Sequence, residues 1–109
     1  KMLVIADSMP DIANNPVLLY MKGSPNAPQC GFSARATQAV MGCGEKFAYV
    51  DILQNPEIRA SLPTYANWPT FPQLWVNGEL VGGSDIILEM FENGELQTLI
   101  KSAVGKTEA

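Results

Sequence analysis

The stretch of this chain whose residue types and spacing can carry chemistry is Cys30-Gly31-Phe32-Ser33. It has the spacing of a Cys-x-x-Cys redox or metal site, with serine in the second position. A serine hydroxyl neither forms a disulfide nor holds a soft metal as a thiolate does, so such a site has to borrow its second sulfur. The chain has no histidine, which excludes Ser/His/Asp and Cys/His catalysis and histidine-ligated zinc or iron within one chain. Chemistry therefore has to run on a thiol. The other cysteine, Cys43, lies 13 residues further on. Along an unbroken helix that is about 20 Å, whereas a disulfide needs Cα atoms within roughly 7 Å. Cys43 is expected in the core, resolving Cys30 only if the helix partly unwinds or oxidation remodels the site.

A cysteine at the amino end of a helix feels the positive end of the helix dipole and unpaired backbone amides, both of which favour thiolate. Lys22, eight residues upstream, can add positive charge. Many free cysteines are simply small buried residues, but Cys30 follows a proline-containing loop and precedes glycine, a setting that exposes it. Ser33 is either a bystander or a first-turn residue hydrogen-bonded to a neighbouring amide. Arg35 reads as a solvated helix residue near the site.

These residues need a scaffold. Val17 to Met21 is a continuous apolar run between Pro16 and Gly23-Ser24-Pro25, which predicts a buried strand, parallel to a neighbour. The loop Gly23 to Gln29 delivers Cys30, and a helix is predicted from Gly31 to about Gly42, ended by Gly42 and Gly44. Phe47 to Asp51 is the next strand, which makes a right-handed crossover with Cys30 at the carboxyl end of the first strand. Asn55, as cap, and Pro56 open a second helix to about Tyr65. Gln73 to Val76 and Glu79 to Gly82 flank Asn77-Gly78, the strongest short-range hairpin signal. Ser84-Asp85 is expected to cap a helix broken at Asn93-Gly94 and resumed through Leu96, Leu99 and Ile100. The fold class is α/β, a four-stranded mixed sheet flanked by helices. An added helix around Ser8 to Asn14 is weakly patterned.

Size and charge narrow the functions. The chain has 109 residues, 47% hydrophobic, which fits one domain, with a core at about 11–102 and loosely ordered termini. Its apolar runs fall far short of the roughly 20 residues of a membrane-spanning helix, and the start is not expected to act as a secretory signal. Net charge is −4 and the seven basic residues are scattered, which argues against nucleic-acid binding. Two cysteines fit a reducing compartment, with the cytoplasm as the expected location.

Two further motifs have plain and functional readings. In Trp68-Pro69-Thr70-Phe71-Pro72, a proline at the start of a strand is tolerated; the segment is a rigid loop, or a cis bond before Pro72 presents the Phe71 backbone to an extended peptide. Gly82-Gly83-Ser84-Asp85 is a turn with a helix cap, or a helix start whose amides receive a carboxylate while Asp85 receives an amine.

Taken together, Lys22-Gly23-Ser24-Pro25, Pro28-Gln29-Cys30-Gly31-Phe32-Ser33, Trp68 to Leu74 and Gly82 to Ile86 resemble a monothiol glutaredoxin of the CGFS type, over about residues 11–102. The resemblance implies a thioredoxin-like fold and supplies the borrowed sulfur, that of glutathione. It also implies that Lys22 and Arg59 pair with the glycine-end carboxylate, Thr70 and Phe71 hold the cysteinyl backbone, and Ser84 and Asp85 grip the γ-glutamyl end. Glutathione has two carboxylates and one ammonium, so two cations, a helix amino terminus and an aspartate complement it. Family members commonly have cysteine where this chain has Ser84, which excludes a thiol role there.

The family also implies a homodimer around a 2Fe-2S cluster. A cluster needs four ligands, and two Cys30 thiolates with two glutathione thiols make four. The resemblance thus implies a carrier that passes clusters to apo iron-sulfur proteins or to a BolA-like partner. The alternative is a glutathione-dependent reductase of mixed disulfides with Cys30 as nucleophile; the lengthened Gly23 to Gln29 loop goes, by resemblance, with weak oxidoreductase activity. A third alternative is a redox-inert interaction module.

Overall fold

A computed structural model of the chain describes residues 15–108. The predicted helix at Ser8 to Asn14 and the amino-terminal end lie outside the described residues. The elements run β1 (Val17–Met21), β2 (Gly23–Ser24), β3 (Ala27–Pro28), α1 (Gly31–Gly42), β4 (Ala48–Asp51), α2 (Pro56–Ala66), β5 (Gln73–Val76), β6 (Glu79–Gly82), α3 (Ser84–Glu92) and α4 (Glu95–Glu108). The last helix carries regular structure past the expected core limit at residue 102.

The main sheet has the order β4-β1-β5-β6, with β1 parallel to β4 and the other pairs antiparallel. A central strand is covered on both faces, and all five residues of β1 are buried. Alternate residues then serve opposite layers. Val17, Leu19 and Met21 pack with Ala36, Ala39 and Val40 of α1, Ile87 of α3, and Leu96, Ile100 and Ala103 of α4. Leu18 and Tyr20 point the other way, to Ile52, Trp75 and Leu62 of α2. The rings of Tyr65 and Trp75 stack there, with centroids 6.2 Å apart. This three-layer mixed arrangement is the thioredoxin-like fold.

The β5–β6 hairpin turns at Asn77 (φ 52°) and Gly78 (φ 82°), the positive dihedrals that an Asn-Gly turn provides. The loop before Cys30 is more ordered than its prolines suggest. Gly23 and Ser24 pair with Pro28 and Ala27 as a small antiparallel sheet, closed by a hydrogen bond from the Gln29 main-chain N–H to the Lys22 carbonyl at 2.8 Å.

Two capping expectations change. Asn55 is the cap residue of α2 but makes no side-chain cap bond; its amide donates instead to the Asp51 carbonyl at 2.8 Å. The cap of α3 is Gly83, and Ser84 is its first helical residue. Glycine brings no side-chain acceptor, which leaves the first-turn amides of α3 available.

Candidate functional site

Cys30 is the cap residue of α1, with extended backbone (φ −152°, ψ 157°), and its sulfur accepts a hydrogen bond from the Ser33 main-chain N–H at 3.3 Å. Its thiol is partly exposed. Burial by itself pushes this thiol up; the Ser33 hydroxyl, the amides of Ser33 and Phe32, and the charge of Lys22 act against burial and hold it below the usual thiol range.

Cys43 sits at the opposite end of the same uninterrupted helix, as its cap at the carboxyl end. Its Sγ donates to the Ala39 carbonyl at 3.4 Å and it packs on the edge of the α1/α3/α4 core. Burial pushes its thiol up. With the helix intact, Cys43 is a structural cysteine and not a neighbour of Cys30.

The sequence separates Lys22, Arg59, Thr70, Phe71, Ser84 and Asp85 by up to 63 positions, yet all six line one cavity of about 490 Å³. Phe32, Pro63, Pro69 and Pro72 complete its walls. The volume falls in the range of small-molecule sites. Four elements converge here. Lys22 follows β1, Phe32 is in the first turn of α1, Arg59 and Pro63 share a face of α2 at i,i+4 spacing, and Ser84 and Asp85 open α3. The Thr70-Phe71-Pro72 segment, in which the Phe71–Pro72 bond is cis, enters β5. Arg35 is not among these residues; it is exposed on α1 beside Gln38, Leu88 and Phe91.

Three groups hold the walls. Gln73 is fully buried; its amide donates to the carbonyls of Trp68 (3.1 Å) and Thr70 (3.3 Å) and accepts from the Trp75 indole at 3.2 Å. Asp51 Oδ1 fixes Gly23, the residue after Lys22. Gly83 is tightly enclosed, since a Cβ there would stand 3.3 Å from Trp68 Nε1 and 3.4 Å from the Pro72 carbonyl.

Sequence reasoning did not find Phe32, Pro63, Gln73 or Asp51 as parts of this site. The i,i+4 spacing from Arg59 is a signal for Pro63, and the position two after Cys30 is one for Phe32. No local pattern marks Gln73 or Asp51, because their partners come from other segments.

A family model for glutaredoxin matches residues 17–81. The chain belongs to the glutaredoxin family. Glutaredoxin 4 of Escherichia coli strain K12 is 73% identical over 95 residues, covering 87% of this chain and 83% of that protein. Glutaredoxin 4 of Haemophilus influenzae strain 86-028NP is 68% identical over 95 residues, covering 87% and 89%. Among solved structures, reduced poplar apo GrxS14 has a TM-score of 0.75 at 39% identity, covering 94% of this chain and 93% of that one. With Ser33 in place of a second cysteine, this glutaredoxin is of the monothiol type.

Proposed function

We propose that this monothiol glutaredoxin binds glutathione in the cavity that Phe32 lines from the first turn of α1, the helix that Cys30 caps, and, as a cytoplasmic homodimer, carries a 2Fe-2S cluster to apo iron-sulfur proteins or a BolA-like partner. The observation that carries the reading is the gathering of Lys22, Arg59, Thr70, Phe71, Ser84 and Asp85 on one cavity adjoining a helix that opens with the only well-placed thiol.

The donor set suits the tripeptide. Lys22 and Arg59 present two cations at one end for the glycine carboxylate. At the other end, the uncapped first turn of α3 offers free amides for the γ-glutamyl carboxylate, and Asp85 an acceptor for its ammonium. Between them, the extended Thr70-Phe71 backbone meets the cysteinyl residue as one strand meets another. Bound glutathione supplies the second sulfur.

Cluster ligation follows from counting. Among the described residues, no three Cys, Asp or Glu side chains gather to hold a metal. The chain's two cysteines lie at opposite ends of α1. One thiolate from each of two protomers and one from each of two glutathiones make the four that a cluster takes. Half of that shell is exchangeable, which suits transfer.

The lowered Cys30 thiol also supports the second reading, reduction of protein–glutathione mixed disulfides. Cys30 thiolate attacks the glutathione sulfur, the protein thiolate leaves, and a second glutathione thiolate displaces Cys30 to give glutathione disulfide.

Anaerobic reconstitution with iron, sulfide and reduced glutathione tests the first reading, by visible absorption, iron and glutathione counts and mass in solution. A coloured dimer with two irons and two glutathiones is expected; a colourless monomer that still reduces glutathione mixed disulfides moves the function to the enzyme.

A further inference from the structure

Gln73, the first residue of β5, is a polar side chain with no solvent exposure. Its Nε2 donates to two carbonyls of the preceding loop, that of Trp68 at 3.1 Å and that of Thr70 at 3.3 Å. Its Oε1 accepts from the Trp75 indole N–H at 3.2 Å. An indole nitrogen only donates and a carbonyl only accepts, so these partners leave the amide one orientation. The Trp75 ring is itself held, stacked on Tyr65 of α2. Of the partners of Gln73, Thr70 alone lines the cavity, next to Phe71, and Gln73 stands behind that wall.

The Thr70–Phe71 peptide is trans. In a planar trans peptide the carbonyl and the N–H point opposite ways. The Thr70 carbonyl is turned inward to a fully buried amide, so the Phe71 N–H points away from it; among the described residues that N–H has no hydrogen-bond partner. We propose that Gln73 is a positioning residue for the main chain that receives the ligand: by holding the Thr70 carbonyl inward, it keeps the Phe71 N–H turned to the cavity as the donor for the cysteinyl carbonyl of glutathione. Without Gln73 the Trp68 and Thr70 carbonyls are left buried and unpaired, and turning the peptide over brings the Thr70 carbonyl to water. A turned peptide meets the ligand's carbonyl with a second acceptor. The amide thus sets the polarity of the cavity wall, and with it the preference for a ligand that carries a backbone carbonyl at that point. The inference rests on glutathione occupying the cavity.

Burial alone does not distinguish Gln73. Thr37 of α1 is as deeply buried, but its hydroxyl bonds to Met21 Sδ at 3.4 Å, and neither residue of that pair lines the cavity. It serves as the control for a lost buried hydrogen bond. Trp75 lies outside the cavity as well, yet its indole orients the Gln73 amide.

The test is a titration of the full chain with reduced glutathione, read by calorimetry and by the main-chain amide resonances of Phe71, Ser84 and Asp85. In the unsubstituted chain the Phe71 amide proton is expected to move downfield to saturation. Gln73→Leu is expected to lose that movement and to weaken affinity about tenfold, while Ser84 and Asp85 still respond. Trp75→Phe, which keeps a ring against Tyr65 and removes the indole donor, is expected to change both readings in the same direction and by less. Thr37→Val is expected to cost stability and leave affinity and the Phe71 movement unchanged. A Phe71 amide that moves in Gln73→Leu as it does in the unsubstituted chain, or an equal loss of affinity in Thr37→Val, overturns the proposal. Should Gln73→Leu fail to fold, the unsubstituted chain decides: its Gln73 side-chain amide protons must be protected from solvent exchange and its Phe71 amide must move with glutathione, and failure of either overturns the proposal. If Ser84 and Asp85 move and Phe71 does not, the role of Gln73 falls and the glutathione reading stands. If none of these amides moves, the glutathione reading falls and takes the role of Gln73 with it.

Discussion

Asp51 Oδ1 accepts the main-chain N–H of Gly23 at 2.9 Å, joining the end of β4 to the residue after Lys22 across 28 positions of sequence. The same oxygen accepts the Leu53 N–H at 2.9 Å. Gly23 has φ 92°, and a Cβ there would fall 2.5 Å from the Ala27 carbonyl, so only glycine allows this approach. One carboxylate thereby sets where Lys22 stands. Asp51→Ala is expected to cost about 1–3 kcal/mol in chemical denaturation and to weaken glutathione binding in calorimetry, although Asp51 does not line the cavity. Asp51→Asn, which keeps an oxygen acceptor, should lose less of both. Unchanged affinity in Asp51→Ala would show that Lys22 needs no such anchor.

Cys30 and Cys43 are predicted to separate cleanly in reconstitution. Cys30→Ser should abolish cluster binding, and Cys43→Ser should leave it largely intact, because the intact α1 holds Cys43 at its far end. A cluster persisting in Cys30→Ser would refute the ligand assignment.

The two thiols should also separate by pH. Cys30 is held below the ordinary thiol value of about 8.5, chiefly by Ser33, against the effect of burial, and Cys43 is pushed above it by burial. An acid with a depressed folded pKa ionises first as pH rises, so near neutrality alkylation should label Cys30 and spare Cys43. The sign for stability follows: the Cys30 contribution is present above its unfolded value and lost as pH falls through its folded one. Mass mapping after brief alkylation checks the order, and equal labelling at pH 7 would contradict it.

Gln73→Leu removes an amide with three buried-side partners while keeping an apolar side chain. The Trp68 and Thr70 carbonyls and the Trp75 indole would lose their bonds. We expect a loss of about 2–4 kcal/mol and weaker glutathione binding through the Thr70-Phe71 segment. A thermal melt beside calorimetry distinguishes the two effects.

Arg59 is exposed and Lys22 partly so. Solvent screens their attraction for a carboxylate, and each alanine substitution should weaken glutathione binding by about fivefold or less. The loss should shrink as salt rises. A salt-independent loss in titration calorimetry would point instead to the packing of the side-chain stems.

Strand and helix placement was largely legible because its signals are local. Pro16 and Gly23 bracket β1, Asn77-Gly78 turns the hairpin, and Gly42 to Gly44 ends α1, each through the dihedrals those residues permit. Where a local signal had a competing partner it misled. Asn55 caps poorly because its amide finds the Asp51 carbonyl, and Ser84 yields the cap position to Gly83. The ordered β2–β3 pair was hidden because two-residue strands leave no periodicity to detect.

By itself, the sequence determined the chemistry available to this glutaredoxin: one usable thiol, no histidine, a serine where a second sulfur would stand, and motifs that match a family. Tertiary structure decided how that chemistry is positioned. It brought six separated residues onto one cavity, gave Asp51 and Gln73 their anchoring roles, buried Ser33 between Lys22 and Cys30, and kept Cys43 out of reach. The reason is physical. A residue's type travels with the chain, but a hydrogen bond spanning 11 or 28 positions exists only once the sheet order β4-β1-β5-β6 has brought its two ends together.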